Sequence, residues 1–394
     1  MAHQIKLGFI LFALAMLAAC GGGGGGSGSE GGGGGIGGGG GSAGNGSGGG
    51  PVSAPTSSNV TGFAYVAHFA ENNVSAYTID GSSGALSEVA GSPFAAGVGP
   101  VSVDVDPTGR FAFVANGGSN NFTDTISVFA VDASTGALTS VGSTPAGRSS
   151  LRSMAVDPSG KFVYTTSGGS RTASFEVDGF AIDGTTGALS PVPGNPFFAG
   201  TNPSFVTVDP SAKFAYVTNQ ASADVSSFAI NTTTGALTST GRAASGGAPL
   251  SVVVHPSGRF AYVAGSGISV YTIDGTTGAL TEIPGSPFAA ANGFFSIAIE
   301  PTGRFAYVAN TGGGVSAFAI NTSSGALSEI SGSPFGSGVG SITVDASGKF
   351  VYALVDNGIA GFAIDPTTGA LTEIAGSPLA SPAGSSITTT SAIH

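Results

Sequence analysis

Tryptophan is absent from this 394-residue chain, cysteine occurs once, and charged residues make up only 8% of it. A single cysteine excludes an internal disulfide. There is no cysteine pair, no histidine pair at ligand spacing and no EF-hand loop, so no metal ion is expected. Basic residues are scarce: 11 Lys and Arg stand against 22 Asp and Glu, for a net charge of −11. That balance excludes the basic stripe of a nucleic-acid binder and polybasic docking to an anionic membrane. No Gly-rich loop joins a strand to a helix, so no nucleotide or other cofactor is expected. The scarcity of charge does not mean disorder, because 41% of the chain is apolar and those residues are patterned.

The first 59 residues stand apart from the rest. His3 and Lys6 precede the apolar run Leu7 to Leu17, which is too short to span a bilayer and has the length of a secretory leader. It ends in Leu17-Ala18-Ala19-Cys20, a bacterial lipobox, so residues 1–19 read as a signal peptide and Cys20 as the lipidated residue. The expected location is the cell envelope. Gly21 follows Cys20 where an Asp would mark inner-membrane retention, which points to the outer membrane or cell surface. Residues 20–59 then form a flexible Gly/Ser tether, spanning about 34 Å for some 39 residues. The Gly-x-Ser-x-Gly match at Gly40 to Gly44 lies inside this tether and follows no strand, so it is not a nucleophile elbow.

From residue 60 onward the chain repeats. Gly-Ala-Leu, always after Ser or Thr, occurs with its glycine at Gly84, Gly136, Gly187, Gly235, Gly278, Gly325 and Gly369, a period of about 47 residues. Such a period denotes one supersecondary unit per repeat. The second unit shows four strands. Val101 to Val105 alternates, Asp106-Pro107-Thr108-Gly109 turns, Phe111 to Val114 returns, Ile126 to Val131 forms a third strand and a fourth opens at Leu138. A Gly-Ser-Pro-Phe signature often follows, as at Gly91 to Phe94. The Phe-(Ala/Val)-(Tyr/Phe) strand occurs seven times, but nothing supplies a preceding strand before Phe63. Ser386-Ile387-Thr388 echoes Ser341-Ile342-Thr343 and is followed only by the C-terminus. The expectation is an all-β, seven-bladed β-propeller over residues 60–394, with four-stranded blades. The C-terminal segment closes it by supplying the inner strand of the first blade and covering two sheet edges.

Segments such as Asp209-Pro210-Ser211-Ala212-Lys213-Phe214-Ala215-Tyr216-Val217 and Glu300 to Asn310 resemble the lactonase-type seven-bladed propellers. That group includes 6-phosphogluconolactonase-like proteins, muconate-cyclising enzymes and related surface-layer repeats. The resemblance covers roughly residues 60–393 and implies the fold. The matched residues are turn formers and core aromatics that recur in every blade, so no catalytic motif carries over.

Function must therefore lie where the repeat is broken. Lys6 belongs to the leader, and Arg110, Lys161, Lys213, Arg259, Arg304 and Lys349 occupy one turn in successive blades. Arg148, Arg152, Arg171 and Arg242 remain, in or beside connections expected on one face of the ring around the channel mouth. His68, Glu71, Asn116, Asn120, Asp124, Glu176 and Asp178 fall on the same side. Such a mouth could hold an anionic or hydroxylated ligand in arginine forks, although long loops also carry charges that are merely solvated. The first expectation is a lipid-anchored, monomeric binding or scaffold module for a saccharide, peptide or protein partner. The alternative, implied by the family, is a hydrolase or isomerase of lactones. There the arginines would polarise the carbonyl, with His68 or Glu176 as general base and Arg152 and Arg171 beside them. His255 replaces the acid of an Asp-Pro turn and is read as structural.

Overall fold

Asp106 shows how each blade begins. Its carboxylate accepts the backbone N–H of Phe111 at 2.6 Å and of Thr108 at 3.1 Å, so the chain reverses at Pro107 and returns as a strand. Asp157, Asp209 and Asp345 repeat this bond to Phe162, Phe214 and Phe350, each at 2.7 Å. His255 does the work differently, bonding Ser257 at 2.7 Å and the Gly303 carbonyl of the next blade at 2.8 Å.

The structure is a computed structural model. It describes residues 59–391 apart from 119–123, 148, 169–174, 289–292, 311–312, 338–339 and 357. The leader, Cys20, most of the tether, Asn120, Arg148, Arg171 and His394 lie outside the described residues. The described residues form seven antiparallel sheets, each ordered inner, second, third and outer strand. Blade 2 comprises Pro100–Val105, Phe111–Asn116, Thr125–Val131 and Leu138–Pro145. Blade 3 comprises Leu151–Val156, Phe162–Ser167, Glu176–Ile182 and Leu189–Pro191. Blade 4 comprises Pro203–Val208, Phe214–Asn219, Asp224–Ile230 and Leu237–Ala244. In blade 1, Val60–His68 pairs on one side with Asn73–Asp80 and on the other with the C-terminal Ser386–Ser391, Tyr65 lying opposite Thr388. The expected closure is therefore present.

One detail goes beyond the four-strand reading. The Ser-Pro-Phe signature is a fifth short piece, since Phe94–Ala95, Phe197–Phe198 and Leu379–Ala380 each pair with the start of the third strand. Blades 2 and 4 lack the signature, and their outer strands run eight residues instead.

The repeated residues serve the contacts between blades. Each Gly-Ala-Leu glycine has a left-handed φ, 72° at Gly84. A Cβ at Gly84 would collide with the ring of Phe350 in the preceding blade, and the same holds for Gly136 on Phe63 and Gly235 on Phe162. The tyrosine two residues after each such Phe donates to the same glycine's carbonyl. Tyr65 bonds Gly136 at 2.9 Å, Tyr164 bonds Gly235 at 2.9 Å, and Tyr352 bonds Gly84 at 2.7 Å across the closure. Blade 2 carries Phe113 at this position and lacks the bond. We expect Tyr352→Phe to destabilise the domain by about 1–2 kcal/mol, because a buried acceptor loses its donor. Truncation before residue 385 should cost far more, by exposing the second strand of blade 1 as an edge. Thermal unfolding of the two variants checks both; equal melting of the truncated and intact domains would refute the closure.

Candidate functional site

The inner strands follow one another around the ring, each beside the next, and they line its centre. Among the described residues of these seven strands only Asp104 and Arg152 are ionisable. They sit on adjacent strands. The loop face, where inner strands start and second strands end, holds Arg152; Asp104 lies farther along the wall.

A backbone device selects Arg152. In blade 3, Thr166 faces Ser153 and Ser167 faces Leu151, which leaves Arg152 as the extra residue of a bulge. The same bulge recurs at Val101, Ser204 and Phe295 in blades 2, 4 and 6. A bulge re-aims one side chain, and in blade 3 that side chain is a cation. Arg152 Nε donates to the Gly168 carbonyl at 3.1 Å and Nη1 donates to Gln220 Oε1 at 3.4 Å in blade 4. Asn202 Nδ2 donates to the same Gln220 oxygen at 3.1 Å. Gly168 is what makes room, since a Cβ there would lie 2.7 Å from the Pro203 carbonyl, 2.9 Å from Asn202 Oδ1 and 3.0 Å from Arg152 Nε. Burial lowers the pKa of the Arg152 guanidinium, which nonetheless stays charged. Among the described residues no carboxylate stands within ion-pair distance of it.

Arg242 differs in both respects. It lies within the outer strand of blade 4 rather than in a connection, because that strand continues where other blades break at Ser-Pro. Its charge is met by Asp224 at 3.7 Å, and its Nη2 donates to the Ala199 carbonyl. The repeat arginines are also structural: Arg110, Arg259 and Arg304 stack over Phe111, Phe260 and Phe305 at 5.2, 5.2 and 5.1 Å.

His68 proves to occupy a repeat position. It ends its strand as Asn116, Asn219 and Asn310 end theirs, and each bonds a serine two residues into or near the third strand's start. The contacts are His68 to Ser75 at 2.9 Å, Asn116 to Ser127 at 2.9 Å, Asn219 to Ser226 at 2.9 Å and Asn310 to Ser316 at 2.8 Å. Burial holds the His68 imidazole below its usual pKa, partly opposed by the carbonyls of Ala383 and Pro382 and by Glu71. It is a buried, neutral ring.

Blade 3 breaks this rule. Its equivalent pair is Ser167 and Asp178, with Glu176 opening the third strand opposite Ser167. All three are buried. Thr165, opposite Asp178, replaces the valine of other blades (Val66, Val114, Val217), and its hydroxyl and those of Thr166 and Ser167 have no partner among the described residues. Strand alternation puts Thr165, Ser167, Glu176 and Asp178 on the face toward blade 2, beside Val163 and Phe180, whereas Val177 packs toward blade 4. The structure thus separates Glu176 from the Arg152 guanidinium, on opposite faces of one blade. Asp124 links the two seams, accepting the N–H of Leu151, the neighbour of Arg152, at 2.9 Å.

Sequence reasoning missed Gln220, Asn202, Gly168 and the Thr165–Ser167 run. The last could have been found by aligning the seven second strands position by position.

Comparison with known proteins fits this geometry. The profile of the family described as Lactonase, 7-bladed beta-propeller matches residues 57–197, 167–284 and 252–388. The chain belongs to the lactonase family of seven-bladed β-propellers. No curated protein sequence matches it. Solved structures share the fold. A periplasmic gluconolactonase of Pseudomonas aeruginosa is 17% identical with a TM-score of 0.73, covering 84% of this chain and 100% of its own. A candidate 6-phosphogluconolactonase of Bacteroides fragilis is 18% identical with a TM-score of 0.73, covering 85% and 99%. A Lactobacillus plantarum protein is 18% identical with a TM-score of 0.69, covering 84% and 99%.

Asp104, the other ionisable residue of this lactonase-family channel, accepts the N–H of Val156 in blade 3 and of Val105, both at 2.9 Å. Burial nonetheless pushes its pKa up to about 6. Between the ordinary carboxylate range and pH 6 the folded state therefore binds more protons than the unfolded chain, so this group makes stability fall as pH rises through that window, by up to about 3 kcal/mol. Asp104→Asn should flatten that part of the curve. Denaturant melts at pH 4.5, 6 and 7.5 test it, and an unchanged slope in the variant would place the titration elsewhere.

Proposed function

We propose that this lactonase-family propeller hydrolyses a sugar-acid lactone at its loop face, over blades 2 to 4. The carrying observation is Arg152: a partly buried cation at the channel mouth, held by two neutral acceptors and by no carboxylate among the described residues. Such a group favours an oxyanion. In the reaction water attacks the acyl carbon, the bond from that carbon to the ring oxygen breaks, and the ring oxygen leaves as a hydroxyl after gaining a proton. Arg152 donates hydrogen bonds to the acyl oxygen as negative charge develops on it. The attacking water gives its proton to solvent at the open mouth and the ring oxygen takes one from it; Glu176, on the opposite face of blade 3 from Arg152, is set aside as base. His68 is set aside as base because it is buried and its Nε2 meets Ser75 in a contact that other blades repeat.

The family and the gluconolactonase-like fold neighbours favour this reading over a scaffold without turnover. Hydrolysis of D-glucono-δ-lactone and a panel of aldonolactones by the 60–394 domain tests it. Arg152→Ala should lower kcat/KM about ten- to a hundredfold, the worth of a charge-assisted hydrogen bond of about 1.5–3 kcal/mol. Arg304→Ala, at a repeat turn, should leave kcat/KM unchanged, and equal losses at Arg152 and Arg304 would move the site elsewhere. A domain inert to every lactone would return the protein to the binding-module reading.

The exported, lipid-tethered setting read from the lipobox belongs to the same proposal. Cys20→Ser should leave the protein as an unprocessed precursor or release it from the membrane fraction. Unchanged processing and detergent partitioning would remove the anchor.

A further inference from the structure

We propose that Gln220 is the positioning residue that keeps Arg152 extended without cancelling its charge, and that the pair binds the carboxylate of an aldonic acid. This rests on the reading of Arg152 given above and extends it to the product class.

Gln220 follows the second strand of blade 4, where its N–H donates to the Asn202 carbonyl at 2.9 Å. The equivalent sequence positions in the other six blades are Phe69, Gly117, Gly168, Ser266, Thr311 and Asp356, so the glutamine is off the repeat. Its orientation is fixed by chemistry. Arg152 Nη1 and Asn202 Nδ2 are both donors, and both converge on Oε1. The amide nitrogen must therefore face away from them, and it makes no hydrogen bond among the described residues. Asn202 itself is held in a left-handed backbone conformation, φ 61°, which sets its side chain against Gln220 and Gly168.

Two neutral acceptors, the Gly168 carbonyl and Gln220 Oε1, thus orient the guanidinium while leaving its full positive charge. A guanidinium has five N–H groups; Nε and one of Nη1 are used, and three remain. With the Gln220 amide they form a set made only of donors. The complementary group has only acceptors, and a planar fork matches a planar carboxylate. Lactone opening produces such a carboxylate where the acyl oxygen had been. An aspartate stands at this position in blade 7, so the fold admits an acid there; an acid in blade 4 would neutralise Arg152.

Calorimetric titration of D-gluconate into the wild type, Gln220→Ala, Gln220→Glu and Arg152→Ala tests the proposal, with thermal melting of each. Gln220→Glu is isosteric and keeps an acceptor for Arg152 and Asn202, so a merely structural role makes it the milder change in both measurements. The proposal requires the two rankings to be opposite. Gln220→Glu should melt at or above the wild type yet bind gluconate at least tenfold more weakly. Gln220→Ala should melt lower and bind about three- to tenfold more weakly. Wild-type affinity in Gln220→Glu, with binding lost in Arg152→Ala, overturns the role of Gln220 and leaves Arg152 in place. Wild-type affinity in Arg152→Ala overturns the reading of Arg152 itself. Absence of gluconate binding by the wild type, or displacement by inorganic phosphate at equal affinity, overturns the carboxylate assignment.

Discussion

The ring depends on one contact between blades: a left-handed glycine seated on the phenylalanine of the preceding blade, its carbonyl held by that blade's tyrosine. Each half of the contact explains a repeated residue. The glycine is required twice, by its φ and by the ring that occupies the space of a Cβ. The phenol is buried and pushed above its ordinary pKa, so it stays a donor across the usual pH range. Because the contact is head-to-tail, it propagates until the last blade meets the first, and Tyr352 on Gly84 is the same bond as Tyr65 on Gly136. The C-terminal strand closes the sheet of blade 1 from within, while this clasp closes the ring between blades.

The seam between blades 2 and 3 is held otherwise. Phe113 has no hydroxyl to offer Gly187, and two blade 2 carboxylates instead take backbone N–H groups of the next inner strand. Asp124 accepts from Leu151 and Asp104 from Val156, both at 2.9 Å. Asp104 is the cross-strand partner of Phe113, so the acid appears where the phenol is missing. The same seam gathers Asp178 where other blades carry serine, Thr165 where most carry valine and Ser167 where others carry asparagine or histidine, with Glu176 beside them. Departures from a consistent repeat cost stability, and proteins concentrate them where chemistry is done.

This division decides what could be read without coordinates. The fold was legible because Gly84, Phe350 and Tyr352 and their five full sets of counterparts state the interblade contact again and again. The orphan strand at Ser386 was legible because strand counting left one sheet short. Arg152 stood out because no other inner strand has a cation. The repeat role of His68 was hidden, since only the shared serine contact shows that it stands where Asn116 and Asn219 stand. Arg242 was read as in or beside a connection, and the missing Ser-Pro signature hid the continuous outer strand near whose end it lies. Gln220, Asn202 and Gly168 carry ordinary loop composition, and what makes them matter is convergence from two blades, which no linear pattern encodes.

The balance of charge bears on what Arg152 can do. A chain of net charge −11 does not draw anions to itself at long range, and the Debye length in physiological salt, about 8 Å, leaves mainly contact interactions at the mouth. On the proposed lactonase reading, a neutral lactone is indifferent to that field on approach. Its acyl oxygen gains negative charge only as water adds, and at that moment an uncancelled, partly buried guanidinium would interact with it more strongly than with the ground state. The released carboxylate is then attracted by one arginine and repelled by the surrounding acidic surface. An ion-paired arginine, such as Arg242 with Asp224, would bind substrate and transition state alike and provide none of this difference. On the proposed reading, the neutral clamp of Gly168 and Gln220 is what sets Arg152 apart from the structural arginines around it.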